Sequence, residues 1–184
     1  TPPPPRGVIE RIVRRGVESK ARTIIAYSGS CEYSPENRVA IRGLIDAFEL
    51  RLVETLREKL GGTYSPNVGG GCGRVPREEF GVQVQFESAP ENVEALTAAV
   101  LALVDTLRTQ GPSADDVSRV REQILRDREV QLKQNSYWIA GIAQRDQSGE
   151  SIAGLLEPYD ALVRALTPQQ IRDAARRYLD PANR

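Results

Sequence analysis

A long apolar repeat in the first third of the chain constrains its fold more than any other feature. Ser34 can cap a helix, Pro35 suits the first helical position, and Glu36 complements the helix dipole. Beyond them, apolar side chains recur every three or four positions at Ile41, Leu44, Ile45, Phe48, Leu52, Leu56 and Leu60. This spacing predicts a long amphipathic helix with one buried face. Gly61 and Gly62 end it, because glycine tolerates the left-handed conformation of a helix C-cap.

Short β-branched and aromatic runs on both sides of this helix predict strands. Before the helix, residues 6–30 hold two such runs, separated by a turn signal at residues 14–16; the first contains Val8, Ile9, Ile12 and Val13, and the second covers residues 23–27. After the helix, strands are predicted at 63–68 and 80–86. Residues 80–86 alternate strictly between apolar and polar, so one face of that strand is buried. The glycine run at 69–73 predicts a flexible loop.

Helical patterns dominate the remainder of the chain. Helices are predicted from Pro90, from Ser113, around residues 137–143 and 157–166, and from Thr167. The charged run from Asp115 to Lys133 is typical of a solvated helix face. Because helices and strands do not alternate one for one, we expect an α+β fold with a mostly antiparallel or mixed sheet packed against a layer of helices.

The first residues and the composition bear on domain organisation. The chain contains no methionine and begins with Thr1 and four prolines. We therefore expect a proline-rich linker at 1–6, a single α+β domain at 7–184, and an origin as a fragment of a longer multidomain protein.

The absence of histidine excludes several kinds of catalysis. The 184 residues contain none, which removes Ser-His-Asp and Cys-His mechanisms and every histidine-ligated zinc site. Positive and negative residues balance at 25 each, so no nucleic-acid or membrane partner is expected. We predict that this chain alone binds no catalytic zinc and hydrolyses no peptide.

The two cysteines leave two interpretations open. Cys31 and Cys72 are too few to define a disulfide framework, and free buried thiols are one interpretation. The other is a disulfide, which requires the strands at 23–27 and 63–68 to be neighbours, with both cysteines near the same end of the sheet. A disulfide would favour an oxidising compartment.

One segment joins the end of the long helix to the following strand. Arg57 lies where a cation complements the C-terminus of a helix, and Tyr64 lies at a strand start. On residue types alone, both are interpreted as structural: a helix-end cation and a half-buried packing tyrosine.

The same segment resembles a known family. Leu-Arg-Glu-Lys-Leu-Gly from residue 56, followed by Tyr64 and Ser65, resembles the C-terminal half of insulinase/pitrilysin-type zinc metallopeptidases, the inverzincins. The order and spacing of four further segments resemble that half as well: residues 16–27, 80–86, 116–131 and 167–179.

The resemblance implies a non-catalytic role in proteolysis. In that family the zinc motif His-x-x-Glu-His lies in the N-terminal half, so zinc is expected there and no cofactor in this chain. This chain would be the partner of that half and close a chamber around a peptide substrate. Arg57 and Tyr64 would bind substrate, and Tyr64 would act as a catalytic residue by stabilising the oxyanion.

Other functions stay open beside this one. One alternative is a catalytically inactive scaffold domain of the same fold, as in core subunits of respiratory complexes. Another is a fragment that dimerises when isolated. The type of enzyme, together with the cysteine pair, favours a bacterial periplasm or envelope.

Overall fold

The computed structural model describes residues 6–15, 19–60, 66–155 and 158–184, and only the backbone of residues 57–60. The described residues form three strands, six α-helices and two 3-10 turns, at Pro90–Asn92 and Ile152–Leu155. In chain order, the helices and strands are β1 (Ala21–Ser30), α1 (Pro35–Leu60), β2 (Asn67–Gly73), β3 (Glu79–Ser88), α2 (Val93–Thr109), α3 (Ala114–Gln131), α4 (Asn135–Ser148), α5 (Tyr159–Arg164) and α6 (Pro168–Tyr178).

The long helix predicted from the apolar repeat is α1. Its 26 residues begin at Pro35, and the Ser34 hydroxyl accepts a hydrogen bond from the backbone N–H of Asn37 at 3.3 Å. Leu44, Phe48 and Leu52 on the apolar stripe are completely buried. Burying side chains of this size stabilises the fold by about 1.5–3 kcal/mol each.

The sheet is antiparallel, and β3 lies in its centre. The strand order is β1-β3-β2, and both pairings are antiparallel. The inner face buries six side chains against the helices: Ile25, Tyr27, Val68, Val82, Val84 and Phe86. The opposite face is open, since Gln83 is exposed and Ile24 is 50% exposed. The prediction of an α+β fold with a helical layer on an antiparallel sheet is confirmed.

The prediction of a loop at residues 69–73 is wrong, because these residues belong to β2. The strand pairs with β3 from Asn67 opposite Gln85 to Gly73 opposite Glu79. Backbone pairing needs no side chains, so a glycine-rich segment can form a ladder when a neighbouring strand is present. At Gly70, φ is +134°, and a Cβ would lie 1.9 Å from the Gly81 carbonyl oxygen. Of the strand predicted at 63–68, only 67 and 68 are in β2, and 63–65 lie outside the described residues.

The strand predicted around residues 8–13 is also absent from the described structure. Residues 6–15 have no regular secondary structure, and Ile12 and Val13 are 84% and 78% exposed. Two hydrogen bonds hold this segment to the other end of the chain, from Gly7 N–H to Asn183 Oδ1 at 2.9 Å and from Ile9 N–H to the Arg184 carbonyl at 3.0 Å. A β-branched run without a paired neighbour has no ladder to complete, whatever its propensity.

Two of the later helices, α3 and α6, begin where their caps predict. Ser113 and Thr167 both form capping boxes, with Asp116 and Gln170 respectively as the reciprocal partners. The charged run 115–133 is not uniformly solvated as predicted, since Asp116 and Arg128 are only 3% and 6% exposed. No helix in the described part of the chain is long and apolar enough to span a membrane.

Candidate functional site

The segment that carries Arg57 and Tyr64 connects α1 to β2. Arg57 belongs to the last turn of α1, and its side chain lies outside the described part of the structure. Tyr64 lies outside the described residues altogether, three positions before β2 begins at Asn67. We predict that both side chains share a concave surface with partly exposed tips, and this prediction lies outside the described residues.

Both ends of this segment are attached to the core. Leu56, the residue before Arg57, is 2% exposed, and Val68 on β2 is 3% exposed. The Asn67 amide donates a hydrogen bond to Glu49 Oε1 of α1 at 3.4 Å, which joins the start of β2 to the helix. The connection between α1 and β2 therefore begins and ends at residues that pack against the core.

A disulfide joins Cys31 to Cys72 near the other end of β2. Their Cα atoms are 6.2 Å apart, within the range that a disulfide requires. Cys31 follows β1 and is 7% exposed, and its N–H donates to the Glu78 carbonyl at 3.1 Å. Of the two interpretations left open by the sequence, the structure contains the paired one.

The two cysteines come together in a different way from the predicted one, in which their strands are neighbours. The strands that carry the cysteines are not neighbours, because β3 lies between β1 and β2. The ends of the two edge strands instead lie on either side of the start of β3, where Glu79 is opposite Ser30 of β1 and Gly73 of β2. The disulfide therefore crosses the beginning of β3.

A cleft of about 400 Å³ lies between α4 and the N-terminal end of α1. Arg128 of α3 donates to the Tyr137 hydroxyl at 2.8 Å and to the Leu155 carbonyl at 2.6 Å. Arg145 of α4 donates to the Gly154 carbonyl at 2.6 Å, and its Nη1 lies 3.6 Å from Glu150 Oε1. These bonds join α4 and the turn after it to α3.

A third guanidinium joins the same turn to α1. Arg38 donates to Glu150 Oε1 at 3.1 Å and to the Tyr33 hydroxyl at 2.7 Å. The Tyr33 hydroxyl in turn donates to Glu150 Oε2 at 3.1 Å. Glu150 thus accepts from two side chains that lie on either side of the start of α1.

The charges of the cleft cancel, so it has no preference for an anionic ligand. Four arginines line it: Arg38, Arg42, Arg128 and Arg145. Four carboxylates lie among them or pair with them: Asp46, Asp127, Glu150 and Asp160. The cleft is accordingly interpreted as a polar junction that attaches α4 to the body of the fold. Sequence reasoning missed it because its members come from five distant segments.

The buried Asp116 performs a structural task at the start of α3. Its carboxylate accepts from Ser113 N–H at 2.9 Å and from the Arg51 guanidinium at 2.6 Å. Burial by itself would raise the pKa of Asp116, but the hydrogen bonds from Ser113 and Arg51 outweigh it and lower that pKa below the ordinary aspartate value. The charged form is thus stabilised as a link between α1 and α3.

Nothing in the described part of the chain forms a metal centre. No group of three or more cysteine, aspartate or glutamate side chains lies together there in an arrangement that could hold an ion. Histidine is missing from the whole sequence. The described residues therefore form neither a zinc site nor a histidine-based proton relay.

Comparisons with solved structures identify the fold. A mutant of the ferredoxin protease FusC, solved in complex with Arabidopsis ferredoxin, is 18% identical with a TM-score of 0.74 over 91% of this chain and 18% of that one. The periplasmic protease PqqL from Escherichia coli is 20% identical with a TM-score of 0.64 over 88% of this chain and 18% of its own. A peptidase M16 inactive domain from Pseudomonas fluorescens is 17% identical with a TM-score of 0.73, over 90% of this chain and 40% of that one.

At these identities the likeness shows the fold alone, and this chain spans less than a fifth of each of the first two proteins. No curated protein sequence matches the chain. The sequence itself matches a family, because residues 1–124 fit the one described as the peptidase M16 inactive domain. The chain belongs to this family, as its resemblance to the C-terminal half of zinc peptidases predicted.

Proposed function

We propose that this chain is the non-zinc-binding half of a zinc-dependent peptidase. In this role it closes a peptide chamber against a catalytic half of the same protein, and it supplies Arg57 and Tyr64 to the bound substrate. The observation that carries the proposal is the Arg-Tyr pair, seven residues apart, inside the stretch that fits the M16 inactive-domain family. A domain that served only as a scaffold would have no chemical reason to keep both side chains.

The chemistry of these two groups suits peptide hydrolysis at a metal. A tetrahedral intermediate develops negative charge on oxygen, and a phenol and a guanidinium both donate hydrogen bonds. Arg57 belongs to the last turn of α1, and Tyr64 is three positions before β2 in the sequence, so both belong to the connection between two elements of the core. Since the chain lacks histidine, the metal and the general base must come from the catalytic half.

Kinetics of the complete protein test this assignment. Tyr64→Phe is expected to lower kcat about a hundredfold or more while KM changes little, because an oxyanion donor acts only in the transition state. Arg57→Ala is expected to raise KM as well, because it removes a charged contact to the peptide backbone. Both parameters come from initial rates on a fluorogenic peptide with the zinc-loaded protein.

Two matched variants separate these effects from general damage. Tyr137→Phe and Arg22→Ala remove the same chemical groups at the polar junction and on the open sheet face, and both should leave kcat within about threefold. Unchanged turnover in Tyr64→Phe would reject the catalytic role of the phenol. A complete protein that lacks the His-x-x-Glu-His motif and peptidase activity would instead favour the scaffold function.

A further inference from the structure

The strand β2 has little of its own to fix it in the sheet. Four of its seven residues are glycine, and among the described residues it is an edge strand that pairs with β3 alone. Val68 is its single fully buried side chain. Glycine-rich strands specify their register weakly, because register depends on which side chains enter the core.

The disulfide can fix the register of β2, which its few buried side chains specify only weakly. Cys72 is the second-last residue of β2, and its partner Cys31 is held in place by the hydrogen bond to the Glu78 carbonyl. Glu78 directly precedes β3, so this hydrogen bond attaches Cys31 to the start of the strand with which β2 pairs. A slip of β2 along β3 by one residue would move Cys72 by about 3.4 Å. The bond to Cys31 does not allow this displacement.

The register of β2 matters for the segment that precedes it. Tyr64 is three residues before β2 in the sequence, so we expect a slip of the strand to displace the tyrosine as well. Misplacing a reacting group by about 1 Å can cost a hundredfold in rate.

We propose that the Cys31–Cys72 disulfide locks the register of β2 and thereby positions Tyr64 for transition-state binding. The second clause rests on the function proposed above, whereas the lock itself does not. In this proposal Cys31 and Cys72 are positioning residues, because they act on Tyr64 only through β2.

Hydrogen exchange of the complete protein tests the lock. Amide protection is compared between the oxidised protein and the Cys31→Ala/Cys72→Ala variant, in peptides from β2 and from α3. Without the disulfide, protection of β2 should fall at least tenfold more than protection of α3. Equal losses in the two elements would mean that the bond stabilises the whole fold without locking β2, and would overturn the proposal.

A rescue variant separates the loss of β2 register from general destabilisation of the cysteine-free protein. A Cβ at Gly69 would meet only Asn67 Oδ1, at 3.6 Å, so Gly69→Thr fits without strain and adds a strong strand former. Combined with the two alanine substitutions, it should restore at least part of the protection of β2. Failure to restore any would contradict the idea that the disulfide compensates for weak register.

Kinetics of the same three proteins test the effect on Tyr64. The cysteine-free variant should lose at least tenfold in kcat with KM within about threefold, and Gly69→Thr should recover part of the kcat. Loosened β2 with unchanged kcat would overturn the positioning role. If the unmodified protein hydrolyses no peptide, the proposed function fails with the positioning role, and the exchange data still decide the lock.

Discussion

Tyr27 carries a buried hydroxyl that the fold does not satisfy. The side chain lies on the inner face of β1 and is 1% exposed, and its hydroxyl has no hydrogen-bond partner among the described residues. Burying an unsatisfied hydroxyl costs about 1–3 kcal/mol. Tyr27→Phe keeps the ring and removes the hydroxyl, so we expect the free energy of unfolding at pH 7 to rise by an amount of that order.

The same residue predicts a dependence on alkaline pH. Burial raises the pKa of Tyr27 to about 12, and the positive charge of Arg184 offsets part of this increase. Because the folded pKa lies above that of an unfolded tyrosine, near 10, ionisation of Tyr27 leaves the free energy of unfolding unchanged below about pH 10. As the pH rises from 10 to 12, the unfolded state loses the proton first, so the free energy of unfolding falls by a total of about 2.7 kcal/mol. In Tyr27→Phe this loss is absent.

Urea unfolding followed by circular dichroism measures both effects. The difference in free energy between the variant and the unmodified chain should be positive at pH 7 and should grow between pH 10 and 11.5. Tyr33→Phe is the matched control, because the Tyr33 hydroxyl bonds to Glu150 and Arg38, and it should lose about 1 kcal/mol at pH 7. If Tyr27→Phe were destabilised by more than about 1 kcal/mol with an unchanged m-value, the hydroxyl would have a partner and the reasoning would be refuted.

Three further predictions concern stability and use the same urea assay. Gly70→Ala should cost about 3 kcal/mol, because a side chain at φ +134° would be strained and would meet a carbonyl oxygen of β3, whereas Gly69→Ala should cost less than about 1 kcal/mol. Removing the bond between Cys31 and Cys72, which are 41 positions apart, should cost about 3.9 kcal/mol by the chain-entropy relation, and a loss below about 1 kcal/mol would contradict it. Asp116→Asn should destabilise the chain at pH 7. Because the pKa of Asp116 is lowered, its contribution is present above about pH 4 and is lost as the pH falls further, so the difference between the variant and the unmodified chain should shrink with acidification.

Local patterns were reliable where one element could be recognised without its neighbours. The apolar stripe of α1, the alternation in β3 and the capping boxes at Ser113 and Thr167 each depend on residues within a few positions. Predictions failed where the neighbour decided the outcome. The glycine run became a strand because β3 lies beside it, and Val8–Val13 remained unpaired because no strand lies beside that segment in the described residues.

The sequence by itself determined the fold class, the family and the absence of histidine chemistry. The fold class follows from periodicity and caps, the family from the likeness of its segments to known members, and the absence of histidine chemistry from composition. Only the tertiary structure decided that β3 separates β1 from β2, that Arg128 is buried in a junction of five segments, and that the Tyr27 hydroxyl has no hydrogen-bond partner among the described residues. These features depend on which distant residues meet, and that is set by the packing of the whole core, since no local interaction specifies it.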